Sequence, residues 1–265
     1  MLSRTRNSIL AAAAALFIGS APVCFAQGYA VPSANDVVDL TPTLSTKLKQ
    51  WWPFGHHAPQ VFDYKKHGEY AYTADLLLID NDTALQLDCP PHMMPPLESG
   101  LPNAGYWGSM TCDKAPVWQM MGETVKVDGR SILDKTGAGE IVIFHTGFTD
   151  AHFRMPERGR VEAAVAGPVN GETEGWPAAT PEVIQHLAKK GVRHVAIDAP
   201  RIGSVVEKEA AMTFWAAANE GMVISSYLIG AGQLPPTGAF YVFLNPKIEN
   251  GHGGPGRAAA ILPHK

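Results

Sequence analysis

The chain has 265 residues, 46% apolar and 17% charged, so it can bury a substantial core and is not a disordered polymer. A formal net charge of −4 without a basic patch excludes tracking of a phosphate backbone, so nucleic acid is not an expected partner. With 26 Gly and 21 Pro, a fold built mostly of helices is disfavoured.

The N-terminus reads as a targeting segment. MLSRTRNS places Arg4 and Arg6 ahead of the apolar run ILAAAAALFIGSAPV, which Gly19 and Pro22 make too short to span a membrane. Cys24-Phe25-Ala26 then offers small residues where a signal peptidase reads. Residues 1–26 are expected to be a signal peptide cleaved after Ala26, leaving a periplasmic or secreted chain with no membrane attachment. Cleavage removes two arginines and takes the formal charge from −4 to −6. Cys24 leaves with the segment. Cys89 and Cys112 remain in a compartment that permits a disulfide, although two free buried thiols fit the sequence equally well.

Residues 27–36 read as a flexible lead-in and 37–265 as a single domain. Val37–Ser45 (VVDLTPTLS) is a short strand ending in a turn. Gln50–Pro59 (QWWPFGHHAP) is an aromatic loop whose Trp51, Trp52 and Phe54 either pack or contact a substrate. Glu69–Asp80 is apolar and β-compatible, and the NDTALQLD that follows starts either helical or extended. Pro90, Pro91, Pro95 and Pro96 exclude an α-helix beyond it, and Leu97–Asp113 is a long Gly/Pro loop.

Glu140–Phe144, bounded by glycine on both sides, reads as a buried strand. Residues 151–176 are charged and Gly-rich and are expected to form a surface excursion. Thr180 caps a helix, Pro181 fits its first turn, and Val183, Ile184, Leu187 and Ala188 form its apolar stripe. Gly191 ends the helix and Val192–Ile197 is a buried strand. Lys208–Leu228 reads as helix, glycine turn and strand; Phe240–Ile248 and Gly256–Leu262 are two more strands. Strands alternating with helices make the fold class α/β.

The chemistry concentrates in Asp80–Pro96 (DNDTALQLDCPPHMMPP). In an extended backbone Gln86 and Asp88 point to one side, and a turn forced by Pro90 and Pro91 swings His92 toward them. Carboxylate oxygen and imidazole nitrogen suit zinc or manganese, whereas a glutamine oxygen is a weaker, neutral ligand. Asp82 is a further ligand candidate. The spacing alone fits a hydrogen-bonded loop as well. Among the other histidines, His186 reads as solvated, His194 as packed, His56, His57 and His67 as loop residues and His264 as part of the tail. His145 stands apart, at the end of a buried strand before a glycine turn, where binding groups are displayed. No Gly-x-Ser-x-Gly elbow is present, which disfavours a serine hydrolase.

The segment resembles the metal motif of the cyclase family of metal-dependent hydrolases, which includes kynurenine formamidases and isatin hydrolase. The family pattern is His-x-Gly-Thr-His-x-Asp-x-Pro-x-His. Asp88, Pro90 and His92 match it, while Asp82 and Gln86 stand where its first two histidines would be. VDLTPTLS with the following Trp-Pro, IVIFHTGFTD, TPEVIQHLAKKGVRHVAIDAP, and LPPTGAFYVFLNPKI with GGPGRAAAI resemble further family segments in the same order. The Gln-x-Asp-x-Pro-x-His form is similar to a divergent branch related to the zinc-dependent trans-dienelactone hydrolase, in which glutamine accompanies a single zinc. That branch also has Gln where this chain has Asp82. A His and Glu that serve the family near the end of the chain align with Phe214 and Ser226, which cannot do that work.

The resemblance implies a swivelling β/β/α single domain and a homo-oligomer. It implies an exported hydrolase of a small lactone, cyclic amide or related acyl substrate. One zinc, or alternatively manganese, would be held by Gln86, Asp88 and His92. His145 or Asp82 would transfer protons, and Trp51, Trp52 and Phe54 would contact substrate. A neutral ligand leaves more positive charge on the ion, which favours carbonyl polarisation and a lower pKa for bound water. The competing expectation is a non-catalytic relative that binds a small molecule, motivated by the missing His/Glu pair.

Overall fold

The computed structural model describes residues 32–46, 57–128, 135–153 and 161–263. The expected signal segment and the loop positions Trp51, Trp52 and Phe54 lie outside the described residues. In chain order the elements are β1 (Val37–Asp39), β2 (Gln60–Lys65), β3 (Ala74–Leu78), β4 (Gln86–Asp88), β5 (Met121–Val127), β6 (Ile141–Phe144), α1 (Phe148–His152), α2 (Val161–Val169), α3 (Pro181–Lys189), β7 (His194–Ile197), α4 (Glu207–Asn219), β8 (Val223–Ser226), β9 (Thr237–Leu244), β10 (Gly253–Pro255) and β11 (Arg257–Ile261).

Nine strands make one mixed sheet in the order β1-β11-β9-β5-β6-β7-β8-β4-β10. Its centre, β5 to β8, is parallel, and β4 joins it antiparallel to β8. The expected α/β class and cyclase-like domain hold. Central parallel strands are covered on both faces, which explains why β6 reads as an apolar run without alternation. Successive side chains still go to opposite faces. Ile141 and Ile143 join Leu87, Tyr241 and Phe243 in one core layer. Val142, Val195 and Ile197 meet Ile184 and Leu187 of α3 and Ala217 of α4 in the other.

The α3–β7 unit follows the local signals. Thr180 accepts a hydrogen bond from the Val183 amide at 3.4 Å, and Pro181 occupies the first turn, where its missing N–H costs nothing. Gly191 has φ +90°, and a Cβ there would lie 2.7 Å from the Ala138 Cβ, so neither the backbone nor the space admits a side chain.

One expectation changes, and two further features go beyond the sequence reading. Residues 151–176 are not only surface: they contain α2, whose Val165 is buried, and the buried Trp176 donates to the Gly203 carbonyl at 2.9 Å. The undecided NDTALQLD segment turns through Ala84 at φ +58° and enters β4, because β8 and β10 supply ladders on both sides. Strands β2 and β3 leave the main sheet and pair only with each other. Among the described residues no helix is long and apolar enough to cross a membrane.

Candidate metal centre

Strand β4 builds the centre by its period. Gln86 and Asp88 project to one face, while Leu87 enters the core on the other. Pro90 then starts a single 3-10 turn, Pro90–His92, closed by the His92 amide donating to the Cys89 carbonyl at 2.9 Å. That turn returns His92 toward the strand. Asp82, Asp88 and His92 each offer a ligand atom, and these atoms lie within 4.8 Å of one another. His92 Nδ1 stands 3.8 Å from Asp82 Oδ1.

Gln86 takes a different part from the expected one. Its amide nitrogen donates to Asp82 Oδ1 at 3.3 Å and to both oxygens of Asp88 at 3.2 Å. An amide oxygen pointed at two carboxylates would be repelled, so the nitrogen faces them. Asp82 thus stands in the ligand cluster, and Gln86 bridges its two acids. Burial raises the Asp88 pKa above the usual carboxylate value and the neighbouring Asp82 charge adds to this, while His92, the Gln86 hydrogen bonds and His252 oppose it. Two close carboxylates, one of them 2% exposed, call for a cation between them. Two carboxylates and an imidazole are a donor set that fits zinc or manganese.

The cluster opens on a cleft of about 160 Å³ whose other wall carries Arg201, Glu207, Phe214 and Tyr227. Arg201 is nearly buried and donates to Glu207 at 2.7 Å and to the carbonyls of Ser204 and Val205 at 2.8 and 3.0 Å. Phe214, where the family's histidine was placed by resemblance, packs its ring 5.8 Å from that of His92. Ser226, matched to the family's glutamate, lies opposite Gln86 in the β4–β8 ladder. Its hydroxyl is buried, with no hydrogen-bond partner among the described residues. Both positions therefore border the centre without supplying ligands. Ala84 and Tyr227 have φ values of +58° and +67° and pack in one cluster beside β4 and β8. Such backbone costs of order 1–3 kcal/mol per residue and tends to mark functional sites.

Sequence reasoning missed His252. Its Nδ1 stands 3.4 Å from His92 Nδ1, with ring centroids 5.4 Å apart. The available signal was its place in GHGGPG, just before a segment that resembles the family's C-terminal strand. The loop carrying it is held by two cysteines. The Cys89 amide donates to the His252 carbonyl at 2.9 Å and the Cys112 amide to the Gly251 carbonyl at 2.7 Å. Cys89 and Cys112 themselves form a disulfide, which decides between the two readings of these thiols.

His145 is not brought to this centre. At the end of β6 its Nδ1 meets Asp128 Oδ1 at 2.5 Å, and its Nε2 lies 3.8 Å from Asp198 Oδ2. The buried Asp198 carboxylate accepts from the amides of Thr146 and Gly147 at 2.6 and 2.9 Å. His145 lines a second cleft, of about 200 Å³, that shares no lining residue with the first. His194 is buried as expected, between the Gln119 carbonyl at 2.7 Å and the Ser225 hydroxyl at 2.6 Å.

The fold is similar to solved structures over nearly their whole length. An isatin hydrolase bound to the product analogue thioisatinate is 18% identical with a TM-score of 0.67, covering 86% of this chain and 93% of that one. Isatin hydrolase A from Labrenzia aggregata, bound to benzyl benzoate, is 20% identical with a TM-score of 0.64, covering 85% and 93%. Isatin hydrolase A from Ralstonia solanacearum is 18% identical with a TM-score of 0.65, covering 86% and 92%. No curated protein matches the chain. Residues 38–204 match the Cyclase family, described as "Putative cyclase", and this stretch carries β4, the 3-10 turn and the α3–β7 unit. A motif that gathers its ligand atoms on this fold, within a family match over more than half the chain, leads to one assignment: the chain belongs to the cyclase family of metal-dependent hydrolases.

Proposed function

We propose that this chain is an exported hydrolase of a small lactone, cyclic amide or related acyl compound, working with one divalent ion. The observation that carries the reading is the gathering of Asp82, the buried Asp88 and His92, with Asp82 and His92 lining an open cleft. A bound zinc or manganese would supply Lewis acidity and a more acidic water. The protein's own groups do the rest. Gln86 holds the two carboxylates in place through its amide nitrogen. Phe214 and Tyr227 wall the cleft against bulk water. Asp82, with 21% of its side chain exposed, would hold the ion through one carboxylate oxygen and could take a proton on the other.

Export is supported by the N-terminal segment and by a disulfide, a bond that persists in oxidising compartments. A homo-oligomer is supported by the β2–β3 hairpin. It leaves Val61, Phe62, Tyr64, Leu76, Leu77 and Leu78 exposed. With Tyr70 and Tyr72 this leaves large apolar side chains exposed on both faces of the hairpin, more than a monomer ordinarily shows in one place.

The second reading, a binding protein that has lost the chemistry, is favoured by Phe214 and Ser226 bordering the centre. Elemental analysis of the full chain beside Asp88→Ala and His92→Ala, followed by a panel of lactones, esters and amides, separates the two. About one ion per chain, lost in both variants, with turnover of a panel member supports the hydrolase. Retained metal without turnover supports the binder, and a wild type that folds without metal removes the hydrolase reading.

A further inference from the structure

We propose that His252 is a metal ligand of this centre, joining Asp82, Asp88 and His92 from a loop 160 residues further along the chain than His92. The proposal rests on the metal centre described above. The motif has lost two imidazoles, at Asp82 and Gln86, and the chain supplies one from elsewhere.

The first argument is distance. Two imidazole nitrogens at about 2.0–2.1 Å from one tetrahedral zinc lie about 3.3–3.4 Å apart. His92 Nδ1 and His252 Nδ1 are separated by 3.4 Å. As a direct hydrogen bond between the two rings that separation is at the long end. The second argument is a shared neighbour. The same His92 Nδ1 also lies 3.8 Å from Asp82 Oδ1, and His252 stands just outside the 4.8 Å cluster of the three ligand atoms, so a bound ion would draw its ring inward. The third argument is anchoring. Strand β10 pairs with β4 so that Gly253 lies opposite Asp88, which places His252 opposite Cys89. The carbonyls of Gly251 and His252 are both taken by cysteine amides. A ligand on a loop held at two carbonyls reaches the ion with little ordering left to do.

The assignment has a consequence for the metal. Four protein groups close a four-coordinate zinc site, the arrangement of structural zinc. They leave two positions on a six-coordinate manganese. An active enzyme with this ligand set therefore works with an ion of more than four coordinate positions.

The test is pulsed EPR on the full, oxidised chain loaded with Mn²⁺, counting the imidazole nitrogens coupled to the ion, with Mn²⁺ affinity measured alongside. Two nitrogens in the wild type, and one in each of His252→Ala and His92→Ala, are expected. Affinity in His252→Ala should fall by at least about 100-fold, beyond what loss of an outer hydrogen-bonding partner brings. His252→Gln, read with the melting temperature, controls for a variant that fails to fold. One nitrogen in the wild type, abolished only by His92→Ala, overturns the proposal and leaves the hydrolase reading standing. A wild type that binds no Mn²⁺ or Zn²⁺ overturns both.

Discussion

Gln86 donates from one nitrogen to both oxygens of Asp88, at 3.2 Å, two residues along the same strand. The amide therefore sits among carboxylate oxygens as a neutral stand-in for positive charge. Gln86→Glu replaces that donor with a third acid. Without metal this variant should lose about 3 kcal/mol, the scale of an uncompensated buried charge. Added Zn²⁺ or Mn²⁺ should restore more stability to it than to the wild type. Thermal melts with and without the ion read both effects. Equal metal-free stability of the two proteins would remove the bridging role.

His194 supplies a pH prediction. It is fully buried as a neutral ring, and desolvation lowers its pKa from 6.5 to about 4. A base depressed on folding stabilises the native state above its unfolded pKa and loses that contribution as pH falls. Between pH 6.5 and about 4 the wild type should therefore lose about 3 kcal/mol that His194→Gln does not lose. Urea midpoints of both proteins at pH 7 and pH 4.5 give the difference, and parallel pH dependences would refute it.

Leu187 tests the frame that carries the sheet. It has no exposed surface and packs α3 against β6 and β7. Leu187→Ala should cost about 2–5 kcal/mol through lost burial and the cavity left behind. Metal stoichiometry in the folded fraction should stay as in the wild type. Chemical denaturation measures the first and elemental analysis the second.

The hairpin gives a prediction on assembly. Phe62 and Leu76 face each other across β2 and β3, and both are about half exposed or more. Phe62→Glu combined with Leu76→Glu should sediment as a monomer with its metal content intact, because the substitutions lie on strands outside the main sheet. Sedimentation unchanged from the wild type at the same concentration would take the hairpin out of the interface.

What was legible in the sequence was local. Thr180, Pro181, the stripe through Leu187 and Gly191 each act within one or two turns, so α3 and β7 could be read directly. Asp88 and His92 are four residues apart, and two prolines between them leave few conformations, so their meeting was legible too. Strand β10 was not: Gly253-Gly254-Pro255 has no strand propensity and is extended because β4 offers it a ladder. His252 was hidden for the same reason, since 160 residues separate it from His92 and only the sheet order brings them together. His145 shows the complementary limit. Its display at a strand end could be read from FHTG, but which cleft it lines depends on β5 and β7 beside it.

The disulfide has a thermodynamic consequence beyond holding a loop. Cys89 and Cys112 are joined to each other, and their amides hold the two residues, Gly251 and His252, at the rim of the centre. Ion occupancy and thiol oxidation are then linked equilibria, and linkage is reciprocal. Whatever factor oxidation adds to the affinity for the ion, the bound ion adds to the resistance of the disulfide toward reduction. A loaded chain should hold its cystine at a more negative midpoint potential than an empty one. A reductant strong enough to open the bond would weaken the hold on the metal by that same factor, so the redox poise of the surroundings would bear on how fully the centre is charged.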